Sequence, residues 1–176
     1  ISGIIILFER KIRVGDIVNV GGTIGHVVAV DLRATTIRAF DGVEALVPNS
    51  ILLENQVVNW TYSSSSIRRE IKIGVAYGTD MRLASRILSE CADAHPHVQN
   101  EPPPEVFFED YGDSALLLIL DYWVDLGSPV GGRRVDSDLR FSIGERFAEA
   151  GIAVPFPQRE LRLEMSSPLP VRVTTS

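Results

Sequence analysis

The stretch from Asp16 to Trp60, "DIVNVGGTIGHVVAVDLRATTIRAFDGVEALVPNSILLENQVVNW", alternates short β-rich runs with tight-turn signals. Gly21-Gly22 separates the first two runs, and Asp41-Gly42 separates two later ones. Asp-Gly between β-rich runs is a strong hairpin signal, because both central positions of the turn favour positive φ. Five short strands in so brief a stretch predict a small, strongly bent sheet or barrel of the Sm-like or OB-like kind.

The serine run at residues 63–66 ends this pattern and is typical of a linker. Beyond it, runs of strand and helix character follow in the order β-α-β-β-α-β, which is the ferredoxin-like arrangement. The first helix begins after Asp80, a good N-cap residue, and the second spans about 133–150. The strand "ALLLILDYWVDL" at 115–126 has a continuous apolar centre, which predicts burial on both faces.

A last alternating run, "RELRLEM" at 159–165, places Leu161, Leu163 and Met165 on one face of a strand. The residues after it, 166–176, are expected to form a flexible tail. The predicted fold class is therefore α+β, with a small Sm-like five-stranded β module, then a ferredoxin-like α/β module and a C-terminal strand.

The amino-acid composition of the chain argues against several classes of protein. The chain has 176 residues, of which 45% are hydrophobic and 23% charged, as in ordinary globular proteins. A net charge of −6 argues against binding to nucleic acid, because affinity for phosphate backbones comes from clustered Lys and Arg. One cysteine, Cys91, excludes an intrachain disulfide framework. No apolar stretch approaches the ~20 residues that span a bilayer, and the apolar start suggests a fragment of a longer protein.

Several side-chain groups suggest chemistry, but each has an ordinary structural explanation. Cys91, His95 and His97 offer metal-ligand types, although Cys91 falls on the apolar stripe of its helix. "SPVGGRR" places glycines before a helix, where a phosphate can bind, yet helix entry alone explains them. Asn59-Trp60-Thr61 matches a glycosylation acceptor by spacing, and we interpret it as accidental. No catalytic residue, metal or cofactor is predicted.

Taken together, the first sixty residues closely resemble the signature region of the small-conductance mechanosensitive channel family. The resemblance begins in "GIIILFERKIRVGD", where an apolar run meets Phe8 and Arg10. Two later segments, "IGVAYGTD" and "AGIAVPFPQ", also match landmarks of the family. Between the apolar run and these segments, the matching positions are Arg13-Val14-Gly15-Asp16, Gly21-Gly22, Gly25, Thr35-Thr36, Asp41-Gly42, Pro48-Asn49 and Asn55.

The resemblance implies a homoheptameric channel of the inner membrane, which opens under bilayer tension and releases ions and small solutes in hypo-osmotic shock. It implies that 1–13 is the end of a pore-lining helix with its junction, 14–62 the Sm-like domain and 63–156 the ferredoxin-like domain. Residues 157–165 would then be a strand of an axial barrel shared by the subunits, and this whole region would be cytoplasmic.

The resemblance also implies coupling between the helix end and the β module. The candidate coupling residues are Phe8, Arg10, Arg13, Gly15, Asp16, Pro48, Asn49 and Ser50. The alternative for Pro48 and Asn49 is that they only shape a tight turn. Basic residues after an apolar helix end also fit the cytoplasmic side of a bilayer, where they would meet lipid phosphates.

Two other functions remain open from the residues alone. Sm-like barrels and ferredoxin-like sheets both serve as soluble binding modules for RNA or a small regulator, although the acidic balance disfavours RNA. An acid–base or metal enzyme would need the scattered aspartates to converge on one pocket.

Overall fold

The computed structural model describes residues 11–162. Its first sheet has five strands: β1 (Ile17–Val20), β2 (Thr23–Val30), β3 (Ala34–Ala39), β4 (Glu44–Pro48) and β5 (Val57–Asn59). They lie in the order β4-β3-β2-β1-β5, and every neighbouring pair is antiparallel. The prediction of a five-stranded β module is confirmed.

The backbones of β2 and β3 approach so closely at one position of this sheet that only glycine fits there. A Cβ added to Gly25 would lie 2.2 Å from the carbonyl oxygen of Arg38, so any larger residue would force the two strands apart. The β2–β3 register then shifts between Val27 and Ala29, which is the mark of a bulge. Bulges increase the local twist of a sheet.

The core of this module draws on residues from before the first strand to after the fourth. Ile12, Val18, Val20, Val27, Ile37 and Leu52 form one buried cluster. Leu52 belongs to a short helix, α1 (Asn49–Glu54), that follows β4 directly. The predicted Pro48-Asn49 turn is thus the start of a helix, with Pro48 at the position before it.

The second sheet has three strands, β6 (Ser66–Val75), β7 (Glu105–Tyr111) and β8 (Leu116–Asp125), in the antiparallel order β6-β8-β7. Two helices accompany it, α2 (Met81–Asp93) and α3 (Gly132–Glu149). The Asp80 carboxylate accepts hydrogen bonds from the amides of Arg82 and Leu83, which confirms it as the N-cap of α2. The sequence β-α-β-β-α and this strand order are those expected of a ferredoxin-like module.

Both helices cover one face of this sheet. Alternate residues of β8, from Leu116 to Val124, join the larger core cluster with residues of α2 and α3. Between the helices, the Ser142 hydroxyl lies 3.4 Å from the Sγ atom of Cys91, which is only 4% exposed. Cys91 therefore packs as a small core residue on the apolar stripe of α2.

The prediction that β8 is buried on both faces is wrong for the single chain. Its buried residues alternate with residues that keep solvent exposure, and Leu117 is 37% exposed. On that open face, Asp121 pairs with Arg68 at 3.3 Å, while the other oxygen of Asp121 has no hydrogen-bond partner. Although its sequence is continuously apolar, β8 therefore has one buried face and one face that is partly exposed to solvent.

The predicted C-terminal strand depends on residues at the end of the described chain. Residues 157–162 form no strand within residues 11–162, and Leu161 is 78% exposed. Just upstream, the Ala76 amide donates to the Ala153 carbonyl at 2.9 Å, so the chain passes the end of β6. Leu163, Met165 and the expected tail at 166–176 lie outside the described residues, and the barrel strand stays a prediction.

Candidate functional site

The chain enters the β module through a tight turn at Arg13–Asp16. The Asp16 amide donates to the Arg13 carbonyl at 3.0 Å, and Gly15 has φ +95°. Positive φ at the third position is the requirement of a type II turn, and glycine meets it without strain. The Asp16 carboxylate closes the turn by accepting a hydrogen bond from the Arg13 amide at 2.9 Å.

Backbone hydrogen bonds hold this turn against β2. The Gly15 amide donates to the Val27 carbonyl, and the Val27 amide donates to the Asp16 carbonyl, both at 2.8 Å. Because Val27 is a core residue, the entry turn is fixed to the centre of the module. Arg13, Gly15 and Asp16, three of the predicted coupling residues, therefore lie in one turn that is bonded to β2.

Asp16 also binds two side chains from the far end of the module. Its Oδ2 atom lies 2.7 Å from Asn59 Nδ2, and its Oδ1 atom lies 3.1 Å from the Thr61 hydroxyl. The Asn59 amide group donates to the Lys11 carbonyl as well, at 3.2 Å. We call Asp16, Asn59 and Thr61 the Asp16 cluster.

Sequence reasoning missed Asn59 and Thr61 as site residues. Their spacing attracted attention only as a glycosylation acceptor, while their contact with Asp16 spans more than forty positions of sequence. A polar Asn-x-Thr directly after an apolar strand was the available signal, since both residue types favour local side-chain-to-backbone hydrogen bonds.

The Pro48-Asn49-Ser50 segment lies at the start of α1. Asn49 is 1% exposed, and its Oδ1 accepts from the Thr35 hydroxyl at 2.9 Å while its Nδ2 donates to the Asp31 carbonyl at 2.8 Å. These bonds occupy the amide within the module, whereas Pro48 and Ser50 on either side are exposed.

A cavity of about 520 Å³ links α1 to the entry segment. Leu52 and Leu53 line it from the helix, and Lys11, Ile12 and Tyr62 line it from the two chain ends of the module. Ile12 and Leu52 also share the buried core. The structure thus brings the α1 region and the entry segment together, while the predicted coupling residues Phe8 and Arg10 lie outside the described residues.

A second cavity, of about 900 Å³, separates the two modules. His26, Phe40 and Trp60 line it from the β module, and Arg69 and Arg133 line it from the α/β module. Gly132, at the start of α3, leaves room for Arg69, because a Cβ there would lie 3.0 Å from the arginine side chain. The second glycine of "SPVGGRR" therefore packs closely against the Arg69 side chain.

Arg69 is fixed by a partly buried ionic group. Its guanidinium pairs with both carboxylate oxygens of Asp136, which also accepts from the hydroxyl of the buried Tyr122. Burial alone would raise the pKa of Asp136, but the hydrogen bonds from Arg69 and Tyr122 outweigh it and hold the pKa below its ordinary value. The hydrogen bond to Asp136 raises the pKa of Arg69, and burial raises that of Tyr122.

The other candidate groups do not converge on a reactive centre. His95 pairs with Asp138 at 3.6 Å, while Cys91 is buried between helices. Within residues 11–162, no group of three or more His, Cys, Asp or Glu side chains is placed to hold a metal ion. The residues around Asp16 instead form a hydrogen-bonded junction between the entry turn and residues 59–61.

Comparison with known families assigns the two modules separately. The family described as "Mechanosensitive ion channel, beta-domain" matches residues 1–62. The family described as "Mechanosensitive ion channel MscS, C-terminal" matches residues 70–154. The chain belongs to the MscS family of mechanosensitive ion channels. This family is one of channels and is not an enzyme class.

Individual relatives agree with this assignment. An uncharacterised MscS family protein of Haemophilus influenzae is 40% identical over 162 residues, covering 92% of this chain and 14% of the relative. The mechanosensitive channel MscK of Escherichia coli is 43% identical over 116 residues, covering 66% of this chain and 10% of MscK. The chain therefore corresponds to a small part of these larger MscS family proteins.

A solved MscS structure shares the fold. The closed-state crystal structure of Helicobacter pylori MscS superimposes with a TM-score of 0.84 and 24% identity, covering 94% of this chain and 64% of that one. The predicted α+β fold class is confirmed. Among residues 11–162, no helix is both long enough and apolar enough to cross a membrane.

Proposed function

We propose that this chain is the cytoplasmic part of an MscS-type channel subunit in the inner membrane. The complete channel would open under membrane tension and pass ions and small solutes during hypo-osmotic shock. The observation that carries the proposal is the pair of MscS family domains, which follow one another in order along most of the chain.

We propose further that seven copies assemble, with 14–62 as the Sm-like domain and 63–156 as the ferredoxin-like domain. Residues 157–165 would form one strand of an axial barrel. In support of this, Leu161 is exposed and residues 157–162 pair with no strand of the described chain. A shared barrel would satisfy their backbone groups, since closure leaves no open strand edge.

The junction around Asp16 supports a role in coupling. The segment 1–13 would be the end of the pore-lining helix, and lipid of the bilayer would lie beyond it. Arg13, Gly15 and Asp16 fix the entry of that segment to β2, and Pro48 and Ser50 are exposed at the start of α1. Asn49 would contribute by holding α1 in place.

Patch recording of the full-length protein, inserted in a bilayer, tests this function. We expect current that appears with applied suction and disappears on release. An inserted, correctly assembled protein without tension-gated current would overturn the proposal. Protein denatured before reconstitution serves as the control for leak through the bilayer.

A further inference from the structure

We propose that Asn59 and Thr61 are positioning residues that clamp the inter-module linker to the entry turn. Through this clamp the turn at residues 13–16 and the start of the α/β module would move together. The role of the clamp in gating rests on the proposed channel function, whereas the clamp itself does not.

The two oxygens of Asp16 make the clamp bidentate. Asn59 Nδ2 binds one oxygen at 2.7 Å, and the Thr61 hydroxyl binds the other at 3.1 Å. Thr61 Oγ1 also accepts a hydrogen bond from the Ile17 amide at 3.0 Å. These side-chain bonds add to the backbone bond from the Trp60 amide to the Ile17 carbonyl, so residues 59–61 are tied to the entry turn and to the start of β1.

The Asn-x-Thr spacing explains how both side chains reach one carboxylate. Asn59 Oδ1 accepts from the Thr61 amide at 3.0 Å, which folds residues 59–61 into an Asx turn. This turn brings the hydroxyl of Thr61 beside the amide of Asn59, facing Asp16. The Asn59 Nδ2 atom is already committed to Asp16 and to the Lys11 carbonyl, so the tripeptide has a structural use unrelated to glycosylation.

The linker between the two modules, residues 60–65, is held by hydrogen bonds at both of its ends. At the upstream end, the Trp60 amide donates to the Ile17 carbonyl at 2.9 Å, next to the clamp. At the downstream end, the Leu126 amide donates to the Ser65 carbonyl, also at 2.9 Å. Residues 62–64 between these ends are exposed. A displacement of the entry turn therefore reaches the α/β module along a chain segment only a few residues long.

Amide hydrogen exchange of the 176-residue chain tests the clamp without any channel activity. The variants are Thr61→Val, which removes the hydroxyl, and Asn59→Ala, which removes the amide group. Thr61→Ser keeps the hydroxyl and should behave as the wild type. Asn100→Ala, at an exposed loop position, is the matched asparagine control.

We expect Thr61→Val and Asn59→Ala each to speed exchange roughly tenfold at the Asp16, Trp60 and Leu126 amides, none of which bonds to the altered side chains. Amides in the centre of β2 and β8 should keep their rates, which shows that the chain remains folded. Faster exchange confined to Ile17, the direct partner of Thr61, would overturn the clamp. If Thr61→Val fails to fold, the exchange rates of the same amides in Asn59→Ala decide whether the clamp exists.

Patch recording of the full-length protein then tests the consequence for gating. Thr61→Val and Asn59→Ala should each shift the tension midpoint, and the shift of the double variant should differ from the sum of the two single shifts, because both residues bind the same carboxylate. Additive shifts would overturn the shared clamp. Absence of current in the wild type would instead refute the proposed function and leave the exchange result standing.

Discussion

Asn49 is a buried residue at the start of α1, and its hydrogen bonds connect this helix to the interior of the β module. Its amide group bridges the Thr35 hydroxyl and the Asp31 carbonyl, while its backbone amide donates to the Arg33 carbonyl at 2.9 Å. All of these partners lie at or before β3. The residue therefore ties α1 to the β2–β3 connection from inside the module.

At the residue scale, we expect Asn49→Ala to destabilise the protein by about 2 kcal/mol, because it leaves the buried Thr35 hydroxyl without its acceptor. Ser50→Ala, at the exposed neighbouring position, should stay within about 0.5 kcal/mol of the wild type. Urea denaturation followed by fluorescence measures both. Equal stability of the two variants would show that the Asn49 bonds are not needed for folding.

The sequence singled out Asn49 as a turn or coupling residue but did not predict its hydrogen bonds to Thr35 and Asp31. Pro48-Asn49 reads as a turn because both residue types favour turns, and nothing local reveals that the amide faces Thr35 across β3 and β4. Asp16 and Gly15 were predicted as junction residues through family resemblance. Their partners Asn59 and Thr61 were not, since a contact over more than forty positions leaves no periodic pattern.

At the scale of elements, the Arg69–Asp136–Tyr122 group joins β6, β8 and α3. Arg69 comes from β6, Tyr122 from β8 and Asp136 from the beginning of α3. Negative charge is favoured in the first turn of a helix, but the first turn of α3 contains no acidic residue, and Asp136 lies just beyond it. The structure shows a more specific reason, because the carboxylate anchors the helix to two neighbouring strands.

The lowered pKa of Asp136 predicts how stability depends on pH. A carboxyl whose folded pKa lies below its unfolded value of about 3.9 stabilises the fold above that value, and the contribution is lost as pH falls through the folded pKa. Asp136→Asn should therefore cost about 2 kcal/mol at pH 7, and its stability should fall less steeply than that of the wild type below about pH 4.

Urea denaturation at pH 7 and at a series of acidic values gives both quantities. Asp113→Asn, at an exposed position, is the matched control and should follow the wild-type profile. Parallel acid profiles for Asp136→Asn and the wild type would contradict the assigned role of this carboxylate.

Elements with strong local signals were predictable, and those set by tertiary context were not. Glycine turns and alternation located all five strands of the first sheet, and Asp80 located α2. Helix α1 was missed because six residues after a proline give no helical period. The open face of β8 was missed because Leu117 and Ile119 look, in sequence, like buried residues.

At the scale of the whole molecule, the two modules and the exposed C-terminal segment predict assembly. We expect native mass spectrometry of the 176-residue chain to show a heptamer. Removal of residues 157–176 should shift the population towards smaller species, because it deletes the proposed barrel strand. A strict monomer at high concentration, or an unchanged heptamer after truncation, would contradict the barrel.

Cys91, enclosed between α2 and α3, has a practical consequence for such experiments. The chain contains one cysteine, and its sulfur is shielded from solvent. Thiol-directed dyes and spin labels should therefore react with cysteines introduced on the surface and spare the natural one. The motions of the two modules can thus be followed by fluorescence or by electron spin resonance in a protein that keeps its native core.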